Sequence, residues 1–254
     1  PIPPYAGDGV ERGVRMQAIQ PTGHASDNVR FRSLFAEILK FVLIESQRSP
    51  TLVCDGPHIP LSEGDDMSPA TTVEPCDFVV FGGTGDLAVR KLLPALYLRD
   101  RDGQLPAETR VIGASRAGLD TNGYRDKVRG ELARFVSGDQ LDSDTCERFL
   151  NRLEYVTVDV ADPADWAGLQ DCLVDREGAI RVFYLACAPG LFGPICENLA
   201  LNGLADAQSR VVLEKPIGHD LASARAVNDA VGAVFEESQI FRIDHYLGKM
   251  GLEE

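Results

Sequence analysis

Two groups of residues in this chain have the types and spacing to do chemistry. Near the C-terminal end, Arg242-Ile243-Asp244-His245-Tyr246-Leu247-Gly248-Lys249 gathers an imidazole, a phenol and an ammonium into five consecutive residues, His245 to Lys249. Such a set can present several donors to a dianionic phosphate, and Lys215, in Glu214-Lys215-Pro216-Ile217-Gly218, adds a second cation from another segment. Asp244 adjoins His245, but neighbours on an extended chain point to opposite faces, so each is expected to find a different partner.

The second group is Gly82-Gly83-Thr84-Gly85-Asp86-Leu87-Ala88-Val89, entered from the apolar run Phe78-Val79-Val80-Phe81 and left through a helical pattern. Glycines in such a turn let the backbone approach a pyrophosphate. The helix start behind them offers unpaired N–H groups and the positive end of its dipole. From Gly83 the segment reads G-x-G-x-x-A, a weak signal alone that the order strand, turn, helix strengthens. A glycine-rich turn without a ligand is the plainer alternative. The next strand candidate ends at Gly113-Ala114-Ser115-Arg116. A site selective for NAD places an acid near this point, whereas a 2′-phosphate requires a cation. Arg116 therefore favours NADP over NAD, which stays possible. The alternative is a solvated surface arginine.

From Cys76 onward, short β-rich runs alternate with helical ones, which calls for an α/β fold, a Rossmann-type doubly wound parallel sheet. Strands are expected at 77–81, 110–114, 154–158, 181–185, 210–213 and 240–243. Helices are expected at 85–101, 122–136, 143–152, 163–176, 191–202 and 221–235. Right-handed crossovers would put the ligand crevice at the carboxyl ends of the strands, where both groups fall. Residues 1–75 read differently, as an irregular N-terminal extension of unassigned function. It carries one amphipathic helix over 30–47 and a Pro- and Gly-rich linker over 55–75.

Composition narrows the partners. A formal charge of -14 argues against a nucleic-acid surface, which needs concentrated Lys and Arg. No apolar run approaches the ~20 residues that a bilayer requires, and the opening Pro1-Ile2-Pro3-Pro4 is not a signal peptide, so a cytoplasmic location is expected without membrane association. The six cysteines form no C-x-x-C pair and no Cys/His cluster at metal spacing; free thiols and no metal are expected.

Three blocks resemble glucose-6-phosphate dehydrogenase: the 82–88 turn, Glu214-Lys215-Pro216-Ile217-Gly218, and Arg242 to Lys249. The resemblance covers about 76–249, with Phe183-Tyr184-Leu185-Ala186 also fitting the family. Ile217 stands where many members have Phe. By this resemblance the 82–89 turn would hold the coenzyme phosphates, Arg116 the 2′-phosphate, and Tyr184 would lie along the coenzyme. Lys215, followed by a cis Pro216, would touch both coenzyme and substrate. His245, Tyr246 and Lys249 would clamp the phosphate of glucose 6-phosphate, and Asp244 would orient a catalytic base. The family's base is a histidine in a second, α+β domain that also forms its homo-oligomer interface. His24, His58 and His219 match no family motif, so the chain is expected to be incomplete for turnover and of doubtful oligomeric state. Two rivals remain: a non-catalytic NADP-binding module, and a sugar dehydrogenase of the glucose–fructose oxidoreductase type, which shares the Glu-Lys-Pro motif and lacks the Arg242 to Lys249 block.

Overall fold

The computed structural model describes residues 74–176 and 179–243. The helix expected over 30–47, most of the linker, Cys54, Asp244, His245, Tyr246 and Lys249 lie outside the described residues. Six strands, β1 (Cys76–Phe81), β2 (Arg110–Ser115), β3 (Leu153–Thr157), β4 (Ile180–Leu185), β5 (Arg210–Glu214) and β6 (Ile240–Ile243), form one sheet in the order β3-β2-β1-β4-β5-β6. All of its pairings are parallel. Every residue of β1 is buried, as a central parallel strand covered on both faces must be.

Helices cover the two faces separately. On one side α1 (Leu93–Arg101), α2 (Thr121–Phe135) and α3 (Ser143–Asn151) pack on Phe78, Val80, Val111, Val182 and Val212. Tyr124, Val128 and Leu132 of α2 recur at a spacing of four and make its buried stripe. On the other side α4 (Trp166–Leu173), α5 (Phe192–Leu201) and α6 (Leu221–Gly232) cover Val79, Phe81, Ile112, Phe183, Leu185, Val211 and Leu213. Alternate residues of each strand thus feed two cores. The chain leaves β1 toward β2 and β3, then returns to place β4 on the other flank of β1, opening a crevice at the carboxyl ends of β1 and β4.

The strands sit within a residue of their expected ends, whereas several helices differ. The helix expected over 85–101 contains a π turn, Ala88–Leu92, before α1 begins. Pro94 has no N–H to give the Arg90 carbonyl, and its ring would crowd that carbonyl in a regular α-helix. The chain widens there, and the Leu93 N–H reaches back to the Ala88 carbonyl. The segment expected over 163–176 is α-helical only in α4, with 3-10 turns at Pro163–Asp165 and Val174–Arg176. The last helix stops at Gly232 rather than 235.

Asp77 fixes the opposite, amino end of the sheet. Its side chain is wholly buried, paired in register with Arg110, whose Nε and Nη2 donate to its two oxygens at 2.8 and 3.0 Å. Arg176 adds a third bond at 2.8 Å. Asp77→Ala would remove the buried acceptor that both guanidinium groups share, leaving Arg110 the carboxylates of Glu154 and Asp175 and Arg176 the Glu108 carbonyl, and a loss of about 1–3 kcal/mol is expected in urea denaturation. Removal of the solvent-exposed Arg129, paired with Asp126 and Glu147, should change stability by under about 1 kcal/mol.

Candidate functional site

The turn after β1 is defined by how closely its backbone meets its neighbours. Gly82 has φ +82°, and a Cβ there would come within 2.4 Å of the Ala186 carbonyl oxygen. Its N–H donates to the Ala114 carbonyl at 2.8 Å, and the Ala186 N–H donates to the Phe81 carbonyl at 2.9 Å, so the turn is laced to both flanking strand ends. At Gly83 a Cβ would meet the Gly113 Cα at 2.8 Å. Gly85 differs, because among the described residues its Cβ would closely meet only the Gly82 carbonyl oxygen, at 3.1 Å.

Those glycines leave donors pointing out of the turn. The Gly85 N–H returns to the Gly82 carbonyl and the Val89 N–H to the Gly85 carbonyl. Among the described residues, the N–H groups of Thr84, Asp86 and Leu87 give a bond to no backbone carbonyl. With the helix dipole behind them they form a cradle for an anion. Asp86 turns its carboxylate to Arg90 one helical turn on, at 3.2 Å. Leu87 is partly exposed, and Ala88 and Val89 are buried beneath the turn.

At the end of β2, Arg116 is exposed and makes no hydrogen bond or ion pair among the described residues, so its guanidinium is available to a ligand. The preceding Ser115 bonds Thr84 Oγ1 at 2.9 Å and the Tyr155 hydroxyl at 2.8 Å. Tyr124 donates to the Gly83 carbonyl at 3.2 Å, and its ring occupies the space that a side chain on Gly113 would need. Sequence reading missed these hydroxyl contacts. Its one available signal was Gly113 inside a strand, a mark of close approach by another group.

Tyr184 sits near the carboxyl end of β4. Expected along a coenzyme, it is 1% exposed, its ring tilted against that of Phe78 at 5.9 Å between centroids, and its hydroxyl donates to the Glu214 carboxylate. Alternation along β4 aims it into the helix-covered face beneath the crevice, where burial and then the adjacent carboxylate push its phenol well above the usual tyrosine range. Glu214 is itself buried, and this bond anchors the end of β5 directly before Lys215.

Lys215 is exposed and precedes Pro216 through a cis peptide bond, as the resemblance implies. Its N–H donates to the Ile243 carbonyl at 3.3 Å, and Ile243 pairs with Glu214. Residue 243, next in sequence to Asp244, therefore ends its strand beside Lys215, whereas Asp244, His245, Tyr246 and Lys249 are not among the described residues. The cysteines described are all free thiols, and no group of metal-binding side chains occurs among the described residues.

A six-stranded sheet in this order, with a glycine turn and an open helix start at its switch point, defines a dinucleotide-binding α/β domain. A family model described as "Glucose-6-phosphate dehydrogenase, NAD binding domain" matches residues 79–253. The chain belongs to the glucose-6-phosphate dehydrogenase family. It is 64% identical over 186 residues to glucose-6-phosphate 1-dehydrogenase of Mycolicibacterium smegmatis, covering 72% of this chain and 38% of that one. The corresponding enzyme of Gluconobacter oxydans is 52% identical over 179 residues, covering 70% of this chain and 37% of that one. Among solved structures, glucose-6-phosphate 1-dehydrogenase from Mycobacterium avium superposes with a TM-score of 0.63 at 34% identity, covering 68% of this chain and 37% of that one. A glucose-6-phosphate dehydrogenase in complex with glucose 6-phosphate gives 0.62 at 33% identity, covering 69% of this chain and 37% of that one. The chain thus spans under two fifths of the length of these relatives.

Two substitutions separate fold from ligand at the turn. Gly82→Ala meets both a positive φ and a backbone clash, and a stability loss of about 1–3 kcal/mol is expected in thermal unfolding. Gly85→Ala needs only a few tenths of an ångström of relief, so its Tm should stay within a few degrees while dinucleotide affinity falls at least about tenfold in titration. Cys187 is packed close to Gly82, and burial pushes its thiol up to about 12. The reactive thiolate is thus scarce at neutral pH. Alkylation of this site by iodoacetamide, followed by mass spectrometry, should be slow at pH 7 and accelerate only at strongly alkaline pH.

Proposed function

We propose that this chain supplies the NADP-binding half of a glucose-6-phosphate dehydrogenase together with one wall of its sugar-phosphate site. The observation that carries the reading is the anion cradle at residues 84–87, at the switch point, with the uncommitted Arg116 beside it. The cradle suits the pyrophosphate, and Arg116 suits the 2′-phosphate, whose charge an acidic residue at this place would repel. When bound, the coenzyme supplies the nicotinamide that takes up hydride from C1 of glucose 6-phosphate, leaving the lactone.

The chain's own residues hold and orient the reactants. Lys215, from the end of β5, would bridge coenzyme and sugar in this reading, its backbone fixed by the Ile243 carbonyl and the buried Glu214 before it. His245, Tyr246 and Lys249 are proposed to grip the sugar phosphate, and Asp244 to orient the base that takes the C1 hydroxyl proton. The base is proposed to come from the remainder of a longer protein, as would an oligomer interface; a cytoplasmic location accompanies this reading. The Arg242 to Lys249 block favours it over a glucose–fructose oxidoreductase-type enzyme or a bare nucleotide module.

Calorimetric titration of the 254-residue chain tests the proposal. NADP+ should bind, and Arg116→Ala should weaken NADP+ about tenfold or more while changing NAD+ under about threefold. Equal losses for both coenzymes would remove Arg116 from the 2′-phosphate site. NADPH formation from glucose 6-phosphate should run at least about 10²-fold slower than in a full-length relative, for want of a general base; comparable turnover would refute the division of labour.

A further inference from the structure

Arg242 opens the block that reads as the sugar-phosphate clamp, yet its guanidinium is engaged inside the fold. It stands on β6 opposite Leu213, whose side chain belongs to the core beneath α4 to α6. The next residue, Ile243, is buried in the core on the other face. Alternation along the strand therefore sends Arg242 toward α6. There its Nε donates to Asn228 Oδ1 at 3.1 Å, and its Nη1 and Nη2 donate to the two carboxylate oxygens of Glu237 at 2.6 and 3.2 Å. Asn228 is oriented for this contact, because its Nδ2 donates to the Ala224 carbonyl at 3.0 Å. A forked guanidinium–carboxylate pair fixes direction as well as distance.

The location of these bonds matters because β6 is short and lies last in the sheet order. Its start is held by Gln239, whose Nε2 donates to the Asp206 and Ser209 carbonyls at 2.8 and 2.7 Å. Its end carries the Ile243 carbonyl, which accepts the Lys215 N–H. Arg242, one residue before that carbonyl, ties this end of the strand to α6 and to the turn that precedes β6. We infer that Arg242 is a positioning residue for the sugar-phosphate site: held by Asn228 and Glu237, it keeps the Ile243 carbonyl in place for Lys215 and does not itself touch the phosphate. The inference rests on the reading of Lys215 given above. Asn228 and Glu237, which belong to no motif, thereby become determinants of sugar-phosphate affinity. An arginine that bound the phosphate would behave in the opposite way, because removing the acid that occupies its guanidinium would release it to the dianion.

Titration of the 254-residue chain with glucose 6-phosphate and with NADP+ tests this. Glu237→Gln, at an exposed side chain, should weaken glucose 6-phosphate about fivefold and leave NADP+, held chiefly by the 84–87 turn and Arg116 in that reading, within about twofold. Asn228→Ala should act in the same direction and carries the test should the first variant fail to fold. In both, the Lys215 amide should exchange its hydrogen about tenfold faster by NMR, since the strand end that accepts from it is loosened. Charge exchange gives a second check: Arg242→Glu should weaken glucose 6-phosphate about tenfold, and adding Glu237→Arg should recover most of that loss. A phosphate ligand replaced by an acid could not be rescued so. Tighter sugar-phosphate binding in Glu237→Gln, or unchanged affinity or unchanged Lys215 exchange in the folded variants, would overturn the inference and leave the Lys215 reading standing. An unmodified chain that bound NADP+ without glucose 6-phosphate would overturn both.

Discussion

Backbone crowding at the end of β1 is the constraint on which the rest of the structure turns. Residues 82 and 83 lie against the strand ends on either side so tightly that a Cβ on either would meet Ala186 or Gly113 inside contact distance. This closeness lets the Ala114 carbonyl accept from the turn and lets the Phe81 carbonyl receive the Ala186 N–H. With those bonds made, the N–H groups of Thr84, Asp86 and Leu87 meet no backbone carbonyl among the described residues. The open helix start is therefore a consequence of how the central strands are joined.

The two ends of the sheet handle charge in opposite ways. At the amino end, the buried Asp77 is enclosed by Arg110 and Arg176, and Asp100 by Arg148 and Arg152. These are closed sets, in which each carboxylate meets guanidinium groups and gains from the low dielectric only because it is paired. At the carboxyl end, Arg116 stands without a protein partner among the described residues, beside unpaired backbone donors. In a chain with a formal charge of -14, an arginine and open backbone donors at one edge are the features an anionic ligand would seek.

The strands were the most legible elements. Continuous apolar runs such as 78–81 and 182–185 can be little other than covered parallel strands, and their observed limits fall within a residue of the reading. Helix details were less legible, because they depend on accommodation between neighbours. Pro94 hides inside an otherwise regular helical pattern, and only the fold shows that the chain absorbs it by widening into a π turn. Tyr184 shows the same limit at the site. A motif can carry a residue to the correct strand, whereas its burial and its hydroxyl's partner depend on the layers packed around the sheet.

Sequence alone determined the class of fold, the glycine turn after the first strand, and the cation at the end of the second strand, since each is written in local spacing: apolar runs, glycines before a helix, an arginine after a strand. Tertiary structure decided what those local signals cannot encode. Ser115 and Tyr155 are forty residues apart in the chain, and Thr84 and Ser115 thirty-one, yet sheet pairing brings the three hydroxyls into bonding distance. Their contact is a property of the assembled sheet, because no spacing within the chain encodes which strand ends lie side by side.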